Sequence, residues 1–330
     1  MARPPRFPVI VGPTAGGKSA LAVRVALELD RRGIGSGQIV TADAFQVYRG
    51  MDIGTAKPTP DERRGVSHHL IDLIEPTESF SVSQWLGRAE STIGRIRAEG
   101  HVPIVVGGTH LYVKALLDGL FDGPPADEQL RAQLAGRDLG DLRQELERVD
   151  PPAAQRIHPN DRRRTIRALE VLRLTGTRIS DLQVQWDRAG PGREDLVLIG
   201  LDWASEAINR RINARVRAMI ERGLVDEARA LYQGGRLGPQ ARQALGYRQL
   251  VEFFEGRRTL DEAIERIKIE TRRFAKNQRT WLGHLRVRAG SMWIDAANTP
   301  GDDMVQAIVS TCVAPVPGLG SNVGRSASDS

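Results

Sequence analysis

Over the first 120 residues, short unbroken apolar runs alternate with longer stretches of mixed polarity. The runs Phe7–Val11 (FPVIV) and 102–106 (VPIVV) are apolar throughout, and 38–42 (QIVTA) is so apart from Gln38 and Thr41. That pattern predicts strands covered on both faces, as in a parallel sheet. Between them, 19–31 reads as a helix. The stretch 81–98 is another, placing Val82, Trp85, Leu86, Ala89, Ile93 and Ile96 on one face. Strand and helix in alternation predict an α/β core, a parallel sheet flanked by helices.

The texture changes after Gly119. Residues 120–190 are rich in Arg, Asp, Pro and Gln and offer no strand, so a mostly helical insertion is expected there. The run 196–201 (LVLIGL) is strand-like again and is expected to rejoin the sheet, and helical periodicity runs from Glu206 into the 280s. The expected organisation is a core first part at 1–120, a helical insertion at 121–195, a largely helical second part of the core at 196–290, and a C-terminal segment at 291–330. From Gly283 the pattern frays, and 315–330 has the Gly/Ser/Pro composition of a disordered tail.

Composition narrows the class. A chain of 330 residues with 40% hydrophobic and 27% charged residues is ordinary for a globular protein. The single cysteine, Cys312, excludes a disulfide framework and any cysteine-based metal site, and its place in the expected tail suggests no role. No apolar run reaches the roughly 18 residues a membrane span needs. The N-terminal stretch lacks the apolar core of a signal peptide. A cytoplasmic protein, acting as a monomer and away from membranes, is expected.

The formal charge of +6 is unevenly placed. Residues 155–179 hold seven Arg against Asp161 and Glu170, and 266–288 hold six Arg and two Lys against Glu270. The two patches are net positive by +5 and +7, which leaves the rest of the chain acidic. Localised basicity of this kind suits a surface that tracks phosphates. In the first patch Arg163, Arg164 and Arg167 fall together at helical spacing. In the second, Leu260, Ile264, Ile267, Phe274, Trp281 and Leu285 form an expected inner stripe, with Arg272, Arg273, Lys276 and Arg279 projecting elsewhere and Asn277 and Gln278 as candidates to read bases.

The sharpest motif follows the first strand. Gly12, Pro13, Thr14, Ala15, Gly16, Gly17, Lys18 and Ser19 fit G-x-x-x-x-G-K-[ST] between a strand and a helix. Glycines let backbone N–H groups turn inward around phosphate oxygens, and the helix N-terminus adds a positive dipole. Lys18 supplies a mobile charge for the outer phosphate, and the Ser19 hydroxyl suits Mg²⁺. The motif predicts a bound di- or triphosphate without saying what is done with it. The second strand ends in Asp43, where strand ends converge on such sites, whereas the third ends in Gly107, Gly108 and Thr109 without a carboxylate. From spacing alone Asp43 is a metal ligand, a general base or a loop cap.

The stretch DAFQVYRGMDIGTAKP, from Asp43 to Pro58, closely resembles the segment after the phosphate loop in the tRNA dimethylallyltransferase (tRNA isopentenyltransferase) family. Further matching pieces keep that family's order: SHHLID at 67–72, VGGTHLY at 106–112, HPND at 158–161, RALE at 167–170, RINAR at 211–215, GLVDE at 223–227, LGY at 245–247 and KNQRTW at 276–281. The resemblance implies a P-loop NTPase-like fold and Mg²⁺-dependent transfer of a dimethylallyl group from dimethylallyl diphosphate to N6 of adenosine 37 in the tRNA anticodon stem-loop. By the same resemblance Asp43 is the base that deprotonates the adenine amine, Thr109 hydrogen-bonds around the target nucleotide, and Arg215 joins the phosphate loop in holding the leaving diphosphate. Arg211 lies four residues from Arg215 on one helix face, where both can grip a phosphate cluster.

The family's RNA contacts carry over to Asp43, Ala44, Phe45 and Gln46 at the flipped base and to Thr109. They carry over also to Arg131 and to Arg163, Arg164, Thr165, Ile166 and Arg167 on the insertion. Further along are Arg242, Gln243, Ala244, Leu245, Gly246 and Tyr247, with Tyr247 available to stack. The last are Lys276, Asn277, Gln278, Arg279, Thr280 and Trp281. Ala44 departs from the pattern, since many relatives carry Ser there, so that hydroxyl is not needed here. His110 stands at a variable position and receives no role. His68, His69 and Asp72 do not make a metal site: neighbouring side chains on a helix point about 100° apart. A structural or substrate-lining role suits them better. Two other readings compete: a P-loop small-molecule kinase with Asp43 activating a hydroxyl, and a nucleotide-gated RNA-binding module. The kinase leaves the basic patches without a purpose, and the binding module does the same for Asp43 and Thr109.

Overall fold

The computed structural model describes residues 5–121, 123–183 and 193–314 and divides into two compact units. The first comprises residues up to Lys114 and from Arg193 onward; the second is Ala115–Gly192.

The first unit is built on one all-parallel six-stranded sheet in the order β3-β2-β4-β1-β5-β6. Its strands are β1 (Phe7–Val11), β2 (Gly37–Ala42), β3 (His68–His69), β4 (Val102–Gly107), β5 (Leu196–Asp202) and β6 (Met292–Asp295). β1 is buried along its whole length between β4 and β5, as its unbroken apolar run predicts. Around the sheet lie α1 (Lys18–Arg31), α2 (Pro60–Arg63), α3 (Val82–Ala98) and α4 (His110–Asp118), the last running across the unit boundary. α3 starts on a capping box in which Ser81 and Gln84 each accept the other's backbone N–H. It buries Trp85, Ala89, Ile93 and Ile96, and Trp85 Nε1 donates to Thr41 O at 2.9 Å.

The second unit contains α5 (Glu128–Ala135), α6 (Leu139–Val149), α7 (Pro151–Arg156), α8 (Arg162–Thr175) and α9 (Ile179–Leu182). Leu134, Leu142, Leu146, Ala153, Ala154, Ala168, Leu169, Val171 and Ile179 form its core. The buried Asp150 carboxylate accepts from Ala153 N and Ser180 N, which ties the starts of α7 and α9 together.

After β5 the chain returns to the first unit as α10 (Ser205–Glu221), α11 (Leu224–Gln233), α12 (Tyr247–Phe254), α13 (Leu260–Leu285) and, after β6, α14 (Gly301–Val313). Three expectations are corrected by the fold. The chain does not fray after Gly283: α13 continues to Leu285, β6 pairs with β5, and α14 follows. Cys312 is therefore not in a tail but buried in α14, where burial pushes its thiol pKa up to about 12. The expected disordered stretch 315–330 lies outside the described residues. Phe274 also departs from the inner stripe of α13 and is 42% exposed, because the buried face runs through Ala263, Ile267, Ala275, Gln278, Leu282 and Leu285.

Candidate active site

The phosphate loop joins β1 to α1. Gly17 caps α1 at φ +83°, a left-handed conformation that only glycine adopts without strain. The N–H groups at the start of α1 have no intrahelical partner and face whatever lies at its N-terminus. Pro13 O accepts from Gly16 N at 3.1 Å and from Lys18 Nζ at 2.8 Å. α10 reaches the same loop from a distant part of the chain. Arg211 Nε donates to Ala15 O at 2.8 Å, and Arg215 Nη1 lies 3.4 Å from Thr14 Oγ1. The four-residue spacing of these arginines thus brings both to the loop. Trp203, which no motif marks, completes the wall: its Nε1 donates to Gly16 O at 3.2 Å while the Arg211 guanidinium lies 4.6 Å from its ring centre.

Three cations and one carboxylate share this end of the sheet. Burial, and then repulsion from Arg215, push the Lys18 pKa down to about 8, and Asp43 opposes that fall. Burial likewise lowers the Arg215 pKa, again opposed by Asp43. A cluster held this far from its preferred charge balance favours a polyanion.

Asp43 follows β2. Its Oδ1 accepts from Phe45 N at 2.9 Å and Gln46 N at 3.3 Å, and no hydrogen bond to its Oδ2 is found among the described residues. Thr109 opens the turn after β4, and its Oγ1 accepts from Ala44 N at 3.0 Å. That bond uses the backbone of residue 44, so an alanine side chain suffices there. Gln46 is buried and its Nε2 donates to Thr55 O and Ala56 O, which leaves only its Oε1 for a base edge.

Glu227, a motif residue without an assigned role, organises the segment beyond Asp43. Its carboxylate accepts from the backbone N–H of Asp52, Ile53 and Gly54 at 2.9, 2.8 and 3.1 Å, and from Tyr247 Oη at 2.5 Å. Tyr247 is wholly buried and is therefore not available to stack on a base. The nearly buried Lys57 braces the same segment through Tyr48 O, Asp52 and Asp72. His68 and His69 lie on a strand, not a helix. His69 Nε2 pairs with Gln38 Oε1 and His68 Nδ1 with Val66 O, both at 2.8 Å, and burial lowers the pKa of each ring.

Several residues in the expected RNA-contact segments turn inward. Gln278 is 3% exposed, with both ends of its amide bonded to the protein, so it does not read a base. Glu170 is fully buried and takes bonds from Arg131 Nε at 2.9 Å and Arg167 Nη1 at 2.6 Å, so both arginines, though still partly exposed, also hold the helical unit together. Thr165 is buried and Ile166 packs against the core of that unit. Ala244 and Gly246 are buried, Leu245 is half-buried, and Arg242 pairs with Glu255. Arg279 bonds to Ser205 Oγ. Arg163, Arg164, Gln243, Lys276, Asn277 and Thr280 remain exposed. Trp281 stacks on His110 with ring centres 4.6 Å apart and planes at 20°, a contact that gives His110 a place beside the turn at Thr109.

A Gly-rich loop between the first strand and first helix, gathered cations and a carboxylate at the neighbouring strand end define a P-loop-like enzyme fold built to handle a di- or polyphosphate. The model of the IPP transferase family matches residues 46–285. A tRNA dimethylallyltransferase of Geobacillus kaustophilus is 46% identical over 280 residues, which cover 83% of this chain and 86% of that one. The crystal structure of the full-length tRNA isopentenylpyrophosphate transferase of Bacillus halodurans has a TM-score of 0.67 at 40% identity, covering 92% of this chain and 94% of that one. A eukaryotic dimethylallyltransferase described as acting on tRNA has a TM-score of 0.75 at 28% identity, with 88% and 73% of the two chains covered. The chain belongs to the IPP transferase family, whose members named here are tRNA dimethylallyltransferases.

Proposed function

We propose that this protein transfers the dimethylallyl group of dimethylallyl diphosphate to N6 of adenosine 37 in the anticodon loop of tRNA. The observation that carries this reading is the meeting, at the ends of β1, β2 and β4, of a cation-rich phosphate loop with a carboxylate that keeps one oxygen uncommitted. In the reaction the adenine N6 forms a bond to C1 of the allyl group, the C1–O bond to diphosphate breaks, and Asp43 takes the N6 proton. The leaving diphosphate gains charge, which the amides at the start of α1, Lys18, Arg211 and Arg215 stabilise. Thr109, its Oγ1 accepting from Ala44 N, keeps its hydroxyl proton for the target nucleotide.

The residues present fit Mg²⁺. Ser19 is exposed in the first turn of α1, and among the described residues no group of three His, Cys, Asp or Glu side chains could cage a metal. Mg²⁺ keeps several waters and is otherwise held largely by substrate phosphates, and a phosphate-loop hydroxyl such as that of Ser19 is one of the protein oxygens it takes beside them. When bound, it would help to neutralise the leaving diphosphate. Exposed Arg163 and Arg164 on the helical unit and Lys276, Asn277, Thr280 and Trp281 on α13 supply the contacts to RNA phosphates and bases. We place the enzyme in the cytoplasm as a monomer, a location that suits action on tRNA. No described helix is long and apolar enough to cross a membrane.

One assay tests the reading. The protein is incubated with an unmodified anticodon stem-loop, Mg²⁺ and either labelled dimethylallyl diphosphate or labelled ATP. Label entering RNA only from the prenyl donor, and lost when adenosine 37 is replaced, supports it. Phosphoryl transfer from ATP, or RNA binding without transfer, overturns it.

A further inference from the structure

Gln278 lies inside the molecule, yet it touches both halves of the reaction site. Its Oε1 accepts from Thr14 N at 2.7 Å, within the phosphate loop, and its Nε2 donates to Gly108 O at 2.9 Å. The approach at the second contact is so close that a Cβ on residue 108 would fall 2.5 Å from Nε2 and push the amide aside. Thr14 is the residue whose hydroxyl lies 3.4 Å from Arg215 Nη1. Gly108 directly precedes Thr109, which holds the backbone beside Asp43. A single amide therefore joins the cradle of the donor's diphosphate to the turn that faces the acceptor.

We propose that Gln278 is a positioning residue that sets the separation between the allylic carbon and the adenine amine by bracing Thr14 against Gly108. The inference rests on the function proposed above and gives this residue a role other than RNA contact. A primary amide is the side chain that donates and accepts at this reach. A carboxylate loses the donor, a thioether loses both, and asparagine is one methylene short. Two reacting atoms held near van der Waals contact lose about a hundredfold in rate for a displacement of about 1 Å.

Two substitutions test it. Gln278→Met keeps size and apolar fit but neither hydrogen bond. We expect it to fold but melt a few degrees below wild type, because Gly108 O and Thr14 N lose their partner, and to bind the stem-loop as wild type does, with kcat reduced by about a hundredfold. Its affinity for inorganic diphosphate alone, read by calorimetry, should fall by about tenfold, as befits one lost hydrogen bond. At pH 8 Gln278→Glu still accepts from Thr14 N but sets a charged oxygen against Gly108 O, so its kcat also falls. Its protonated carboxyl has one donor and one acceptor, so its rate relative to wild type rises as pH falls, helped by burial, which favours the neutral acid. The Gln278→Met ratio stays flat.

A folded Gln278→Met protein within twofold of wild type in kcat and in diphosphate affinity overturns the proposal, as does a pH-independent ratio for Gln278→Glu. Should the methionine variant not fold, the glutamate ratio decides. Absence of prenyl transfer by the wild-type protein counts against the proposed function, while diphosphate affinity still decides whether Gln278 braces the cradle.

Discussion

Replacing Asp43 with asparagine separates its chemical from its structural work. Its Oδ1 accepts from Phe45 N at 2.9 Å and from Gln46 N at 3.3 Å, and an amide oxygen can keep both bonds. The turn that carries Gln46 should therefore hold in D43N, whereas D43A forfeits those bonds at about 1 kcal/mol and disturbs the loop as well. What D43N loses is the proton acceptor. A positioned general base contributes about 10²–10⁴ in rate, or about 3–5 kcal/mol of barrier. Charge works in the opposite direction on donor binding. Removing the carboxylate leaves Lys18 and Arg215 without their counter-ion, so affinity for dimethylallyl diphosphate should hold or tighten. The assay is a single-turnover transfer to the stem-loop at pH 7 with saturating donor, beside equilibrium titrations of donor and RNA. A D43N rate within threefold of wild type would show that N6 loses its proton elsewhere. A matching loss of RNA affinity would make Asp43 a binding residue instead.

Three further outcomes are expected. Lys18 carries its charge in the free enzyme below about pH 8, down from an ordinary 10.5. Donor kcat/KM should accordingly fall as pH rises through 8, and a flat profile from 6.5 to 9.5 would refute this. Arg163→Ala and Arg164→Ala should each lower the slope of log affinity for the stem-loop against log salt by about 0.7–0.9, with catalysis at saturating RNA retained; an unchanged slope removes that residue from the interface. Arg131→Ala instead strips a charged partner from the fully buried Glu170. It should destabilise the helical unit by about 2 kcal/mol, measured by hydrogen exchange on α5 and α8, and leave the salt slope alone.

Much of the site was legible from local signals. The apolar runs marked β1, β2, β4 and β5, and the order Gly12 to Ser19 between strand and helix marked the cradle, because both depend on residues close together in the chain. The four-residue step from Arg211 to Arg215 placed two guanidiniums on one face, and both reach the loop. The reading failed where a short element was completed from afar. β6 has only four residues, and its strand character is secured by pairing with β5, so the stretch after Gly283 looked frayed.

Amphipathic spacing says that a side chain faces inward or outward, but not what stands opposite it. Gln278 and Tyr247 looked equipped to meet a base. Folding gave the first to Thr14, 264 positions away, and the second to Glu227, which in turn holds the backbone at Asp52 across 175 positions. Arg131 and Arg167 carried the charge of an RNA-binding surface, and nothing in their spacing showed that each would also pair with a buried carboxylate. The residue order therefore specified the phosphate cradle and the chemistry available to it. Which polar groups remain free to act was settled by packing, since a buried donor or acceptor must find a partner and the partners here come from distant parts of the chain.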